Sequence, residues 1–256
     1  MIISLRETTS TNDYAKKLAV HNVDDFTTVV AHRQTGGKGR MGRSFYSPEN
    51  EGIYMSVIVY PHMQPKMVSM VTIVAAMAVK KALEHVLAEI VDKSENVTLG
   101  IKWPNDIVVE GKKLCGILTE ASMTEMDVKY LVVGIGININ NEVFSEELQD
   151  KAISLKMLTG QNLDKKGIVE IVVKYFKQYY NQFVESENLG FMLDEYNASL
   201  VHNGVDVQII SGTDSYTGHC EGMDETGALL VRTASDNEVK KVISGEISVR
   251  GVYGYV

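Results

Sequence analysis

Lys102-Trp103-Pro104-Asn105-Asp106 runs directly into Ile107-Val108-Val109, turns at Glu110-Gly111 and continues through Leu114-Cys115-Gly116-Ile117-Leu118-Thr119. Two apolar, β-branched runs on either side of a Glu-Gly turn predict a β-hairpin. Its strands need partners, and the flanking sequence supplies them. Residues 97–101 lead into the hairpin as a strand, and residues 130–139 follow it as another, passing through Gly134 and Gly136. Upstream, residues 26–31 and 52–60 are further strands, the second stopped by Pro61. Helices are interleaved. Residues 11–20 read as a short helix with Ser10 or Thr11 as N-cap. A long helix then puts Met67, Val71, Val74, Ala78, Ala82, Val86 and Ile90 on one face. Helical spacing returns at Ile168, Ile171, Val172, Tyr175, Phe176 and Phe183, and again over residues 189–200. From about residue 203 the texture changes: Val205, Val207 and Ile209 alternate, glycines punctuate, and β runs recur at 228–232 and 238–243. The pattern predicts an α+β domain over residues 1–200 and a small all-β barrel over residues 203–256.

Composition narrows the function classes. The chain has 256 residues, 45% hydrophobic and 23% charged, which fits a globular protein and excludes collagen-like, coiled-coil and wholly disordered readings. Subtracting 33 acidic from 25 basic residues leaves −8, the wrong sign for a protein that coats a phosphate backbone, so no DNA partner is expected. Only Cys115 and Cys220 are present, too few for a disulfide framework or a four-ligand zinc site, and a reducing cytoplasmic setting follows. Met1-Ile2-Ile3-Ser4-Leu5-Arg6-Glu7 lacks the pattern of a signal peptide. The most apolar stretch, residues 67–90, carries Lys80, Lys81, Glu84 and His85, so no membrane span is expected. The six histidines show no metal-ligand spacing.

Several segments could carry chemistry. Gln34-Thr35-Gly36-Gly37-Lys38-Gly39-Arg40-Met41-Gly42-Arg43 combines four glycines with three cations, so backbone N–H groups can approach an anion while Lys38, Arg40 and Arg43 supply charge. The alternative is a solvated basic turn. Residues 37–44 approximate a Walker A pattern, but Phe45-Tyr46-Ser47-Pro48 leads to a strand and not to the helix a P-loop requires. Ser10-Thr11-Asn12 reads first as a cap. In Lys102-Trp103-Pro104-Asn105-Asp106 a cation, an aromatic plate and a carboxylate converge, although a lone tryptophan is usually core. Lys112-Lys113 at a hairpin end is ordinarily solvated. Gly134-Ile135-Gly136-Ile137-Asn138 lacks the third glycine and the helix of a dinucleotide fingerprint, and no Gly-x-Ser-x-Gly elbow occurs.

Taken in order, the Ser10-Thr11-Asn12, glycine-loop, Lys102–Asp106, Lys113-Leu114-Cys115-Gly116-Ile117-Leu118 and Gly134–Asn138 blocks resemble the biotin protein ligases, also called biotin acetyl-CoA-carboxylase ligases. The C-terminal β segment is similar to that family's SH3-like domain. One departure is visible: the family's loop usually reads Gly-Arg-Gly-Arg, and Lys38 stands at the first arginine, keeping charge but losing a bidentate fork. Bifunctional members carry a helix-turn-helix ahead of the Ser-Thr-Asn block. Here nine residues precede Ser10, which implies that repressor function is missing.

The resemblance implies a class II synthetase-like fold, a mixed sheet flanked by helices, and a two-step reaction with ATP, biotin and Mg²⁺. Biotin is activated as biotinyl-5′-AMP and then passed to a lysine of a biotin carboxyl carrier protein. It implies that Ser10, Thr11 and Gln34, with the Gly37 backbone, hold the ureido ring, and that Asn12, Lys38, Gly39, Arg40 and Lys113 also bind biotin. Phe45, Trp103 and Gly116 would line the pocket. Lys113 would bridge carboxylate and α-phosphate together with Arg40, and Lys38, Arg40, Arg43, Lys102 and Asn138 would face the adenylate. Asp106 either orients Lys113 or takes a proton from the incoming lysine. No protein metal site is implied beyond the Mg²⁺ that accompanies ATP, and a homodimer is left open. The rival readings are a lipoate ligase-like adenylate transferase, whose Arg-Arg-x-Ser-Gly-Gly-Gly-Ala pattern is not found, and a non-enzymatic regulatory or interaction protein.

Overall fold

The structure, a computed structural model, describes residues 1–90, 97–244 and 247–251, so residues 245–246 and 252–256 of the expected barrel lie outside the described residues. Seven strands form one mixed sheet: β1 (Ile2–Thr8), β2 (Thr28–Gln34), β3 (Gly52–Val59), β4 (Gly100–Lys102), β5 (Asp106–Val109), β6 (Lys112–Met123) and β7 (Val128–Asn138). Their order is β1-β2-β3-β7-β6-β5-β4. β1 and β2 run parallel and the other pairings are antiparallel.

The predicted hairpin is β5–β6, with a register shift between Ile107 and Val108. Three features differ from the sequence reading. β1 was not expected, because an edge strand with Ser4, Arg6 and Glu7 shows only a faint apolar alternation. The strand expected over 97–101 is the shorter β4. The helical run over 189–200 resolves into a 3₁₀ turn (Gly190–Met192) followed by α5 (Leu193–Ser199).

Side chains alternate across the sheet, so each face has its own helices. On one face, α1 (Thr11–Ala19) buries Ala15 and Ala19 against Val29, Ile58 and Val132. On the other, α2 (Val68–Ile90) covers Val57, Ile117, Val133 and Ile135. α2 is apolar around most of its circumference, and it is in turn covered by α4 (Lys165–Ser186). Each fully buried Val, Leu or Ile contributes roughly 1.5–3 kcal/mol, so both helices are fixed on the sheet, and α1 brings its first turn over the middle strands. Between β7 and α4 lies a short α3 (Leu155–Thr159), capped by the Ser154 hydroxyl, which accepts from the Met157 N–H at 3.1 Å.

The C-terminal segment forms the expected small antiparallel domain. β8 (Asp206–Ser211), β9 (Asp214–Met223), β10 (Leu229–Thr233), β11 (Val239–Val242) and β12 (Ile247–Gly251) lie in the order β11-β10-β9-β8-β12. The Val201 N–H donates to the Ile101 carbonyl at 3.0 Å, and the Asn197 amide exchanges two hydrogen bonds with the Met223 backbone. No helix among the described residues is long and apolar enough to cross a membrane.

At the junction, His202 is fully buried, and neither ring nitrogen has a hydrogen-bond partner among the described residues. Burial, reinforced by the charge on Lys102, lowers its pKa to about 4. Above an unfolded pKa near 6.5 both states hold a neutral ring and stability is unaffected. Below it the unfolded chain binds the proton first, so unfolding becomes easier as pH falls toward 4, by up to roughly 3 kcal/mol. Urea titrations between pH 7 and pH 4.5 should show this slope, and His202→Leu should flatten it. An equal slope in that variant would assign the effect to other groups.

Candidate active site

The first turn of α1 points into the sheet. Ser10 occupies the N-cap position but its side chain makes no capping bond, contrary to the reading as a simple cap. Ser10, Thr11 and Asn12 are nearly inaccessible, and Thr11 and Asn12 build a polar network. The Thr11 N–H and hydroxyl both donate to Gln34 Oε1, at 2.8 and 3.1 Å. Gln34 Nε2 donates to the Ser47 hydroxyl at 3.0 Å. Ser56 Oγ lies 2.8 Å from Thr11 Oγ1 and 2.6 Å from Asn12 Oδ1, and Asn12 Nδ2 donates to Glu120 at 2.8 Å. Buried polar groups require such partners, and here four elements and the loop at Ser47 share them.

Beneath this network the strands carry no side chains. Gly116 of β6 sits directly opposite Gly136 of β7, with Gly134 two residues away on the same face. A Cβ on Gly134 would lie 2.3 Å from Asn12 Oδ1, and one on Gly136 would lie 2.6 Å from the Phe45 ring. These positions are glycine because Asn12 and Phe45 lie against the bare backbone. From sequence, Gly134 and Gly136 belong to a strand, to a block shared with the biotin protein ligases and to no dinucleotide fingerprint, but carry no role of their own. Their spacing of two, which puts both on one face of a strand, is the signal that could have found them.

The glycine loop is a small hairpin. Lys38 bridges Ser44, the Gly39 N–H donates to the Arg43 carbonyl at 2.7 Å, and the Phe45 N–H donates to the Gly37 carbonyl at 2.9 Å. Lys38 is held by Asp13 at 2.7 Å, and Arg40 Nη1 reaches Asn105 Oδ1 at 3.2 Å. Burial lowers the Arg40 pKa from its ordinary value, opposed by Asp106 and reinforced by Arg43.

Lys113 is fixed at both ends. Its Nζ lies 2.7 Å from Asp106 and 5.8 Å from the Phe45 ring centroid. Its backbone N–H donates to the Lys151 carbonyl at 2.7 Å, and its carbonyl accepts from the Ile153 N–H at 3.0 Å and from Asn138 Nδ2 at 3.2 Å. Asn138 also donates to the Ile153 carbonyl at 3.1 Å. Asn138 lines the larger cavity, and its NH₂ group also buttresses Lys113, because two backbone carbonyls converge on it.

Three spaces meet here. A polar cavity of about 50 Å³ lies between Ser10–Asn12, Gln34, Lys38 and the three glycines. A larger one of about 250 Å³ is lined by Arg43, Lys102, Trp103, Asp106, Asn138, Phe144, Lys151 and residues 247–249 of β12. Gly39, Arg40, Phe45, Asn105 and Lys113 line both. An open groove of about 1160 Å³ runs from Arg40 and Met41 past the start of α2 to residues 225–228. Burial lowers the Lys102 pKa to about 8, with Asp106 opposing. The site residues thus converge, with two exceptions. Gly37 closes the hairpin without lining the polar cavity, and Trp103 lies on the side of the larger cavity, buried in the core with its indole N–H on the Gly227 carbonyl. From sequence, Asn105 is read only as part of the Lys102–Asp106 block, and Ser56 and Glu120, which hold Thr11 and Asn12, are not singled out. Among the described residues no three His, Cys, Asp or Glu side chains gather to hold a metal ion.

Comparison with known proteins follows the same lines. The family model described as biotin/lipoate A/B protein ligase matches residues 4–138, and that described as biotin protein ligase C-terminal domain matches residues 202–250. The bifunctional ligase/repressor BirA of Bacillus subtilis is 34% identical over 246 residues, covering 94% of this chain and 71% of that protein. The biotin--[acetyl-CoA-carboxylase] ligase of Paracoccus denitrificans is 28% identical over 240 residues, covering 92% and 95%. Among solved structures, the biotin protein ligase from Aquifex aeolicus in complex with biotin and ATP superposes with a TM-score of 0.81 at 31% identity, covering 98% of each chain.

Proposed function

The chain belongs to the biotin/lipoate A/B protein ligase family, and from that premise we propose how its two joined cavities divide an ATP-dependent biotin ligase reaction. In the first step a biotin carboxylate oxygen attacks the α-phosphorus of ATP, forming biotinyl-5′-AMP as the bond to pyrophosphate breaks. In the second, the neutral ε-amine of a carrier-protein lysine attacks the acyl carbon, forming an amide as AMP leaves and the amine loses its proton. The observation that carries this reading is that Lys113 and Arg40 line both cavities, so fixed cations stand where two anions must meet.

The polar cavity takes biotin. Thr11 and Gln34 exchange their mutual hydrogen bonds for bonds to the ureido group, Ser10 and Asn12 line the same space, and Phe45 covers the rings and chain. Ligand cavities are usually roughly 300–1,000 Å³. At about 50 Å³, this one must widen, and the hairpin carrying Phe45 is the element that moves. ATP enters the larger cavity, with its phosphates toward Arg40, Arg43 and Lys102 and its adenosine toward Trp103, Phe144 and β12. Mg²⁺ would travel with the phosphates, whose charge it neutralises. Asp106 is the one carboxylate among the described residues lining this cavity, which suits an ion that keeps most of its waters and phosphate oxygens. Asp106 orients Lys113, to which it is bonded, and is the group within reach for the amine proton.

On this reading residues 1–200 carry the chemistry, residues 203–256 are the SH3-like segment, and residues 247–249 of it close one wall. The acceptor is a biotin carboxyl carrier protein and the setting the cytoplasm. Neither DNA nor a membrane takes part, which the net charge of −8 supports.

Pyrophosphate release from ATP and Mg²⁺ should depend on biotin and need no carrier, with lipoate a poor substitute, and radiolabelled biotin should then enter an added carrier domain. Equal release with lipoate would move the assignment to the rival ligase chemistry. No release with either acid would remove the adenylation reading.

A further inference from the structure

The turn at residues 224–228, between β9 and β10, belongs to the C-terminal sheet, and no step of the reaction uses its side chains. Its Gly227 carbonyl nevertheless accepts the indole N–H of Trp103 at 3.1 Å, across 124 positions of sequence. The indole is 2% exposed, so this N–H has no recourse to solvent and depends on the acceptor being in place.

The turn is built to hold that carbonyl still. Asp224 Oδ1 accepts from the Thr226 N–H at 2.9 Å, the Thr226 hydroxyl at 2.6 Å and the Ala228 N–H at 3.1 Å, while Lys241 reaches Oδ2 at 2.7 Å. The Leu189 N–H fixes the Glu225 carbonyl at 2.9 Å. Trp103 in turn sits between residues that face the larger cavity: Lys102 precedes it, and Asn105 and Asp106 follow. Asp106 holds Lys113.

We propose that the turn 224–228 is a positioning element for adenylation, which through the Gly227–Trp103 bond holds the segment Lys102–Asp106 against the nucleotide. The inference rests on the ligase reading above. It weighs on the nucleotide first, because all five residues of the segment line the larger cavity and only Asn105 of them reaches the polar one, whose other walls come from α1, β2, β6, β7 and the glycine hairpin.

Two variants test it. Asp224→Ala loosens the turn from a position outside both cavities, and Trp103→Phe keeps a ring in the core while deleting the N–H. In the pyrophosphate assay each should raise KM for ATP roughly 5- to 10-fold, the scale of one net hydrogen bond, with KM for biotin within about twofold of wild type. Trp103 is the chain's single tryptophan, so its emission reports the bond directly and should move to longer wavelength in Asp224→Ala. An unchanged KM for ATP in Trp103→Phe overturns the proposal, whether or not Asp224→Ala folds. So does a parallel rise in both KM values, which signals general loosening. Wild-type protein that releases no pyrophosphate with biotin would sink the ligase reading instead, and the response of Trp103 emission to ATP alone would then judge the bond.

Discussion

Replacing Lys113 by alanine is expected to slow biotin-dependent pyrophosphate release by roughly 10²- to 10³-fold, the loss typical of removing one preorganised transition-state stabiliser. The first step drives a carboxylate against a triphosphate, and the charge that shields them must already be in place as they approach. Lys113 meets that condition because little about it is free to move. Asp106 holds the ammonium at 2.7 Å, while Lys151, Ile153 and Asn138 hold the backbone. The side chain is 27% exposed, so truncation leaves no sealed cavity and the fold should persist, which a melting curve checks. Chemically supplied biotinyl-5′-AMP should partly restore transfer to the carrier, since the second step brings a neutral amine and not an anion. Wild-type adenylation in Lys113→Ala would show that the lysine only closes a hairpin.

Arg40→Gly should separate making the intermediate from keeping it. Arg40 lines both cavities and the open groove, so on the proposed division of the cavities it stands at the exit as well as at the reacting atoms. A charge-assisted bond to the adenylate phosphate contributes roughly 1.5–3 kcal/mol, so its loss would speed escape about 10- to 100-fold. Glycine also frees the hairpin backbone that Arg40 pins to Asn105. The variant should still produce biotinyl-5′-AMP, release it to solution and label bystander lysines. Incubating variant, biotin, ATP and serum albumin, then blotting for biotin, reads this directly. Albumin labelling no greater than with wild-type protein, while adenylate synthesis persists, would mean that another group retains the intermediate.

Local patterns made most of the fold legible. The apolar face from Met67 to Ile90 and the run into and out of Glu110-Gly111 state a buried helix and a hairpin within a few residues of where they lie. β1 escaped notice because its neighbour supplies what its own sequence lacks. Strand pairing to β2 aligns Ile2 with Thr28 and Leu5 with Ala31, and that register is invisible from residues 2–8 alone.

The site divides in the same way. Cations grouped among glycines could be read in place, whereas the roles of Asn12, Asn138 and Trp103 depend on Glu120, Ile153 and Gly227, which only folding brings to them. Ser10 looked like a cap because serine before a helix usually is one. It holds the N-cap position without a side-chain capping bond, and Gln34 of β2 accepts the Thr11 N–H at the start of the helix instead.

The bare backbone at Gly116, Gly134 and Gly136 has a wider consequence. A glycine inside a strand forgoes roughly 0.5–1 kcal/mol relative to alanine, and here three adjoin in the middle of the main sheet. The chain therefore concentrates a local weakness where its chemistry is done, and a stabilising search that scored folding alone would fill these positions first. Such a search would raise the melting temperature only by lifting Asn12 and Phe45 off the strands beneath them. Robustness and activity are in direct competition at three methyl groups, and the sequence has chosen activity at each.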